Sequence, residues 1–166
     1  GLGRKVLASV LGVHPEARVP EYHSNTLRKQ LASRRGRQSE SQAAGSTTGK
    51  VALFSTCYNN VNEPDVGMDL VAVFEHNDIP ITIPNKEKCC GSVLLRMGDA
   101  ASFKRICMEN IEQFNALGIK TLVTSCAGCL KTIKEDYARH GKLNFEIKHT
   151  LEYVIDLIKA GRLKLT

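Results

Sequence analysis

The chain of 166 residues is long enough for one ordinary domain with an appendage, and its 42% hydrophobic residues can form a packed core, which excludes disorder throughout. No run approaches the roughly 18 consecutive apolar residues of a membrane-spanning helix, and residues 1–10 lack the apolar centre of a secretion signal. The excess positive charge of +6 lies in the first 50 residues, which hold nine Lys or Arg against three Asp or Glu.

Residues 1–49 are predicted to form an extended basic arm and a flexible linker. Apolar spacing favours a short helix over Arg4–Val13, and Ser24 is placed to cap a second helix that runs to Ser33. Residues 36–50 are rich in Gly, Ser, Gln and Thr without apolar periodicity, so a domain boundary is expected near Lys50. The arm lacks the interleaved aromatic residues of single-strand binding, so we expect no nucleic-acid partner; it is solvated or docks on a partner protein or an acidic membrane surface.

The remainder, residues 50–166, alternates short apolar segments typical of buried strands with amphipathic segments typical of helices. This order predicts an α/β domain with a Rossmann-like parallel sheet of about four strands flanked by helices. The predicted buried stripe of the first of these helices consists of Val66, Leu70, Val71, Val73 and Phe74. The predicted strands are Val51–Ser55, Pro80–Ile83, Ile119–Thr124 and Phe145–Lys148, and the predicted helices are Asp65–Asn77, Asp99–Leu117, Leu130–His140 and Thr150–Ala160.

Five of the six cysteines lie just beyond the ends of predicted strands. Cys57 follows the first strand, Cys89–Cys90 follow the second, and the Cys-x-x-Cys motif Cys126–Cys129 follows the third. Ligands in open α/β sheets gather at the carboxyl ends of the strands, so we expect these thiols to meet at that edge. Several thiolates in one place bind an iron–sulfur cluster or zinc. The sixth cysteine, Cys107, lies on the apolar face of a predicted helix and is expected in the core.

The spacing of the cysteines favours a cluster over a single ion. A tetrahedral zinc site normally uses two Cys-x-x-Cys pairs, and here only Cys126–Cys129 has that form. Side chains of adjacent residues diverge, so binding by both Cys89 and Cys90 indicates a centre with more than one metal position, and Gly91 would relieve crowding beside them. Zinc, and a thioredoxin-like redox pair at Cys126–Cys129, are the alternatives.

This pattern resembles the CCG-domain iron–sulfur proteins, in which a Cys, a Cys-Cys-Gly motif and a Cys-x-x-Cys motif follow one another at similar spacing. Here 31 residues separate Cys57 from Cys89, and 35 separate Cys90 from Cys126. The family includes the cluster-binding component of heterodisulfide reductase, and the resemblance implies a noncubane [4Fe–4S] cluster bound by all five cysteines, Cys57, Cys89, Cys90, Cys126 and Cys129. Leu11–Lys29 is also similar to the segment before the first CCG motif in the iron–sulfur component of anaerobic glycerol-3-phosphate dehydrogenase.

The resemblance implies an iron–sulfur electron-transfer subunit of a respiratory oxidoreductase of the glycerol-3-phosphate, glycolate or lactate type. Electrons would pass from a flavoprotein dehydrogenase subunit through the cluster towards a quinone or another acceptor, together with other iron–sulfur subunits. A heterodisulfide-reductase-like cluster that itself reduces a disulfide is the second hypothesis, and a structural zinc module is the third. Family members usually carry a second CCG motif, so the chain is expected to be part of a larger protein.

Two residues after the fourth predicted strand complete the predicted site. His149 and Thr150 are expected at the same edge of the sheet, where a hydrogen bond to a cluster sulfur would tune the reduction potential. The alternative is that Thr150 caps the last helix and His149 is its neighbour. We expect a cytoplasmic protein, with the basic arm placed against the inner face of the cell membrane.

Overall fold

The computed structural model describes residues 2–12, 14, 16–17, 20–35, 50–84 and 86–163, so the predicted linker between residues 36 and 49 lies outside the described part. Within these residues, three parallel strands form one sheet in the order β1-β2-β3. The strands are β1 (Lys50–Phe54), β2 (Ile119–Thr124) and β3 (Glu146–His149), and the helices are α1 (Leu2–Leu11), α2 (Leu27–Arg35), α3 (Cys57–Val61), α4 (Pro64–His76), α5 (Ser92–Arg96), α6 (Ala100–Ala116), α7 (Ala127–Lys131) and α8 (Thr150–Lys159).

The α/β class and the parallel sheet are confirmed, but the predicted second strand, Pro80–Ile83, is not a full strand. Thr82 makes a single parallel bridge to Ala52, through hydrogen bonds of 2.8 Å to the neighbours of that residue in β1. Pro80 and Pro84 flank the bridge, and proline has no N–H to donate to a sheet ladder. The segment therefore lies where a fourth strand would be, beside β1, without extending the ladder.

Alternate residues of the strands enter two separate layers of the core, as the two-residue period of a strand requires. Val51 and Leu53 of β1 pack into a layer that also contains residues of α2, α4 and α8. Ala52 and Phe54 pack on the opposite face, with residues of α6 and of the helical stretch that begins with α7. The sheet is thus covered by helices on both faces, the arrangement typical of parallel sheets.

The buried stripe of α4 agrees with the predicted one only in part. Val71 and Phe74 are buried as predicted, but Val66 is 46% exposed and Val73 is 43% exposed, and Gly67 is buried. Gly67 contributes no side chain to a hydrophobic pattern, so its burial could not be counted as apolar periodicity. It is buried because Leu27 of α2 lies directly against its backbone, where a Cβ atom would collide with the leucine side chain.

Helix α2 is therefore part of the folded domain, although it precedes the predicted boundary near Lys50. Leu27 is fully buried and Leu31 is 7% exposed, both in the layer that covers β1. The helix begins at Leu27, with the hydroxyl of Thr26 accepting from the amide of Lys29 at 3.4 Å, so Thr26 and not Ser24 is its cap. The arm has no core of its own, but α2 completes the core of the following domain.

Among the described residues, no helix is long and apolar enough to cross a membrane.

Candidate metal centre

The carboxyl ends of the three strands lie side by side at one edge of the sheet. Phe54 at the end of β1 pairs with Thr124 at the end of β2, and Thr124 pairs with His149 at the end of β3. Cys57 follows β1 by three residues, and Cys126 follows β2 by two. The register of the sheet thus brings the first and third cysteine segments to the same place.

The five cysteines predicted as ligands are joined by a chain of contacts. The side chains of Cys57 and Cys89 are close enough to shift each other's pKa, and so are those of Cys89 and its neighbour Cys90. The Sγ atoms of Cys90 and Cys129 are 3.3 Å apart, and the amide of Cys129 donates to Cys126 Sγ at 3.3 Å. Three segments that are distant in sequence therefore meet, as expected; the role of these thiols as ligands stays a prediction.

Burial differs from one end of this chain of thiols to the other. Cys90 is 5% exposed and Cys129 is 3% exposed, while Cys89 and Cys126 are half-buried and Cys57 is exposed. Solvent therefore reaches the site from the side of Cys57 and not from the side of Cys90 and Cys129. Cys107 is not among these contacts: it lies on the buried face of α6, and burial raises its pKa to about 11.

Interactions between the thiols shift their pKa values in opposite directions. The pKa of Cys89 is lowered well below its usual range, first because the Cys57 thiol hydrogen-bonds its sulfur and then because Cys90 does so. The pKa of Cys129 is lowered for the same reason, by Cys90. The pKa values of Cys57 and Cys90 are raised chiefly by these same hydrogen bonds, and burial raises the pKa of Cys126. Negative charge is thus stabilised at two sulfur positions, Cys89 and Cys129.

Each cysteine segment opens a short helix, and backbone amides at these helix ends approach the sulfurs. Cys57 is the first residue of α3, Gly91 precedes α5, and Cys126 caps α7. The amide of Gly91 hydrogen-bonds Cys89, and that of Ser92 hydrogen-bonds Cys90. Unpaired amides at helix N-termini favour negative charge nearby. The helix predicted from Leu130 in fact begins three residues earlier, at Ala127, because the Cys126 sulfur accepts an amide hydrogen bond as its cap.

Buried polar side chains, which the sequence analysis did not identify, connect the cysteine segments in pairs. Asn59 of α3, 7% exposed, donates to the hydroxyl of Ser125 at 2.8 Å and so joins the segment of Cys57 to that of Cys126. The backbone amide of Asn59 donates to the hydroxyl of Thr56 at 3.0 Å. Thr56 has φ of 53°, which is strained for a β-branched residue, so this cap holds the chain in an unfavourable conformation directly before Cys57.

A second pair, Asn110 of α6 and Tyr137, holds the segment of the adjacent cysteines. Asn110 exchanges hydrogen bonds with the backbone of Lys88 at 2.8 and 3.3 Å and donates to the carbonyl of Cys89 at 3.2 Å. It also donates to the hydroxyl of Tyr137 at 2.9 Å, which donates to the carbonyl of Cys90 at 3.2 Å. Both side chains are almost fully buried. The available signal in the sequence was Asn110 itself, a polar residue within the apolar stripe of α6.

The third connection joins the segment of Cys89 to the end of β1 through a buried carboxylate. Oε1 of Glu87 accepts from the amide of Ser55 at 2.9 Å, contacts the hydroxyl of the same serine, and pairs with Arg28 at 2.8 Å. Burial raises the pKa of Glu87, and the hydrogen bond from Ser55 and the charge of Arg28 oppose that shift. Its other oxygen, Oε2, is buried without a hydrogen-bond partner among the described residues.

The remaining predicted residues lie at this edge of the sheet but make other contacts. His149 caps α8: its Nδ1 accepts from the amide of Leu151 at 3.3 Å, and its Nε2 lies 3.2 Å from the carbonyl oxygen of Ser125. Both ring nitrogens therefore contact backbone, and the residue supports the loop before Cys126. Thr150 follows that cap instead of forming it, and its hydroxyl is buried without a hydrogen-bond partner among the described residues. A hydrogen bond from either residue to a cluster sulfur stays a prediction.

Gly91 has φ of 79°, and a Cβ atom there would lie 2.8 Å from Cδ2 of Phe103. The backbone beside the adjacent cysteines thus needs a glycine for two independent reasons.

Residues 51–134, which include all five converging cysteines and their connecting side chains from Ser55 to Asn110, match the family of cysteine-rich domains named CCG. The chain belongs to the CCG family. Helix α2 with Arg28, and β3 with His149, lie outside the matched residues of this CCG domain. No solved structure matches the chain closely enough to compare.

Curated relatives of this CCG chain are iron–sulfur proteins and oxidoreductase subunits. An uncharacterized iron–sulfur protein of Methanocaldococcus jannaschii is 33% identical over 118 residues, 70% of this chain and 24% of the relative. One subunit of the anaerobic glycerol-3-phosphate dehydrogenase of Escherichia coli is 26% identical, over 81% of this chain and 33% of the relative. One subunit of the dihydromethanophenazine:CoB–CoM heterodisulfide reductase of Methanosarcina mazei is 28% identical, over 69% and 29%. The chain thus spans about a quarter to a third of the length of these relatives.

Proposed function

We propose that the five cysteines bind one iron–sulfur cluster, of the [4Fe–4S] type and noncubane. The observation that carries this proposal is the convergence of Cys57, Cys89, Cys90, Cys129 and Cys126 at one edge of the sheet, where neighbouring thiols shift one another's pKa values and the sulfurs of Cys90 and Cys129 are 3.3 Å apart. A purely thiolate donor set suits iron–sulfur clusters and zinc and excludes hard cations such as Mg²⁺. Backbone amides directed at the sulfurs are the hydrogen bonds that tune such a cluster.

The arrangement of the thiols favours an extended cluster over one zinc ion. Five thiols meet here, one more than the four ligands of a structural zinc site, and two of them, Cys89 and Cys90, are adjacent in sequence. A set of five sulfurs matches a centre with several metal positions.

We propose that the chain acts as an electron-transfer module of a larger oxidoreductase. A bound cluster would supply reversible one-electron chemistry, and the protein would supply position, insulation and electrostatics. The buried Cys90 and Cys129 shield one side, while the exposed Cys57 leaves the other side open to a redox partner. The relative from Escherichia coli is named as a subunit of a glycerol-3-phosphate dehydrogenase. We correspondingly propose that the donor to this chain is a flavoprotein dehydrogenase subunit, and that the electrons continue through other iron–sulfur subunits towards a quinone or another acceptor.

The test is metal and sulfide analysis of protein purified without oxygen. We expect a coloured protein with several iron and sulfide ions per chain and no stoichiometric zinc, because five clustered thiolates exceed the four ligands of a zinc site. A colourless protein with one zinc per chain would exclude the electron-transfer function and favour a structural module.

The exposure of Cys57 also supports a second candidate, in which the cluster itself reduces a disulfide, as the name of the relative from Methanosarcina mazei indicates for that protein. The open side would admit the disulfide, and two electrons from the partner with two protons would yield two thiols. Titration of the reduced protein with a disulfide separates the two functions. A new paramagnetic species would favour disulfide reduction, and an unchanged spectrum would favour electron transfer alone.

The basic arm is proposed to dock the chain on a partner subunit or on the inner face of the cell membrane. Since α2 belongs to the core, the docking segment is restricted to residues before it, of which Lys5 and Tyr22 are exposed. Flotation with anionic vesicles, comparing the chain with one that lacks residues 1–20, distinguishes the membrane from a protein partner.

A further inference from the structure

The N-terminal half of α2 is bound to two of the three cysteine segments. The amide of Arg28 donates to Oδ1 of Asn60 at 3.2 Å, which joins the start of α2 to α3 and hence to the segment of Cys57. Just before α2, the amide of His23 donates to the carbonyl of Val61 at 2.8 Å. Two successive parts of the arm therefore contact the helix that Cys57 begins.

The side chain of Arg28 reaches the other segment, that of Cys89. Its Nη2 lies 2.8 Å from Oε1 of Glu87 and donates to the backbone carbonyl of the same residue at 3.3 Å. Its Nε and Nη2 each lie 3.4 Å from the hydroxyl of Ser55. A guanidinium group presents several donors in a rigid plane, so one side chain can contact a carboxylate, a carbonyl and a hydroxyl at once.

The carboxylate that Arg28 contacts lies two residues before Cys89 and close to the buried sulfurs. The Glu87 side chain is 3% exposed, and its charge acts on Cys129. A buried carboxylate with one unpartnered oxygen is costly, and hydrophobic replacement of such an ion pair is often neutral or stabilising. Fold stability alone therefore gives a weak reason for this pair, and the contacts described for it, with Ser55 and with the backbone of Glu87, lie two residues before Cys57 and Cys89.

We propose that α2 is a component of the cluster site and that Arg28 is a positioning residue, which holds the segment of Cys89 and Cys90 through Glu87. The proposal rests on the proposed cluster at these thiols. It assigns part of the site to a helix that precedes the matched CCG residues, which begin at residue 51. Leu27 and Leu31 pack α2 into the core. Arg28 connects this helix to the segment of Cys89 and Cys90 through its ion pair with Glu87.

The test separates positioning from stability with three variants of the full chain. Arg28→Met keeps the aliphatic stem but leaves Glu87 without its counter-charge, and we expect the Tm of the cluster-free protein to fall by about 10 °C. The double variant Arg28→Met/Glu87→Gln removes both charges and retains an acceptor for Ser55, so its Tm is expected within about 3 °C of the wild type. Arg105→Met is the matched control, because Arg105 is 65% exposed and pairs only with the surface residue Glu109 among the ion pairs described.

Two readouts report the position of the cysteines themselves. In the reduced, cluster-free chain, iodoacetamide alkylation of Cys90, mapped by mass spectrometry, is expected to be about tenfold faster in the double variant than in the wild type, because the loop opens more often. In the chain reconstituted with iron and sulfide, the paramagnetic signal of the double variant is expected to differ from that of the wild type. Arg105→Met should change neither.

Recovery of wild-type Cys90 protection and of the wild-type signal in the double variant, together with recovery of Tm, would overturn the proposal, since Arg28 would then serve stability alone. The proposed function fails in a different way, through the absence of iron in the wild-type chain. The alkylation rates need no metal, so they remain decisive for Arg28 in that case.

Discussion

Cys90→Ser is expected to leave the chain folded but with loss or conversion of the iron–sulfur cluster. Its thiol is 5% exposed, lies 3.3 Å from the Cys129 sulfur, and is one of the five converging thiols. A serine hydroxyl is a much poorer ligand, because soft thiolates are what iron–sulfur clusters select. Iron and sulfide content should fall by half or more, or the paramagnetic signal should change to that of a different cluster type. Cys89→Ser is expected to behave alike.

The matched control is Cys107→Ser, which introduces the same chemical change in the core. Cys107 is fully buried and no contact between it and the five thiols is described, so the hydroxyl is expected to lower the free energy of unfolding by about 1–3 kcal/mol through burial of a polar group. Iron content per folded chain should equal that of the wild type. Equal loss of cluster in Cys107→Ser and Cys90→Ser would show that the assignment of ligands is wrong.

The convergence of the cysteines was accessible from sequence because it depends on topology. Alternating strands and helices predict a parallel sheet, and the carboxyl ends of parallel strands share one edge. Placing Cys57 and Cys126 directly after two of these strands was therefore enough to bring them together. Even the failure of Pro80–Ile83 as a strand did not matter, since the single bridge at Thr82 directs the following loop to the same edge.

The side chains that hold the site were not accessible in this way. Asn59, Glu87 and Asn110 connect the cysteine segments through partners 21 to 66 positions away in sequence, and no local period identifies such pairs. An Asn or Glu in the sequence does not by itself indicate whether its side chain is buried or exposed. Only Asn110 interrupts an apolar stripe, and a single polar residue there is also compatible with the edge of a helix face.

The position of α2 was missed for a related reason. Its sequence from Leu27 to Arg35 contains four basic residues, so its composition indicates a solvated helix. Two leucines nevertheless enter the core, because Gly67 leaves space for Leu27 on α4. Glycine contributes nothing to a hydrophobic pattern, so this half of the contact is invisible to periodicity, and the only signal on α2 is the spacing of Leu27 and Leu31 by four residues. The same glycine explains why Val66 and Val73, expected inside, are exposed.

Gly91→Ala is expected to disrupt the cluster site without any change in a ligand. Alanine at φ of 79° costs about 1–2 kcal/mol, and its Cβ would lie 2.8 Å from the Phe103 ring, which adds about 1–3 kcal/mol for overpacking. Phe103 is buried against Tyr137, whose hydroxyl holds the Cys90 carbonyl, so the strain is relieved most easily by movement of the cysteine segment. We expect a Tm lower by about 4–15 °C and a reduced iron content per folded chain.

Gly98→Ala is the matched control, because Gly98 has φ of 83° but no atom within 4 Å of an added Cβ. It should show only the cost of the left-handed conformation, about 1–2 kcal/mol, with the iron content of the wild type. The comparison therefore isolates the contact with Phe103 from the backbone conformation. If Gly91→Ala retained full iron content and lost no more stability than Gly98→Ala, the segment of Cys89 and Cys90 would be tolerant of displacement, and close positioning of the adjacent thiols would not be a requirement of the site.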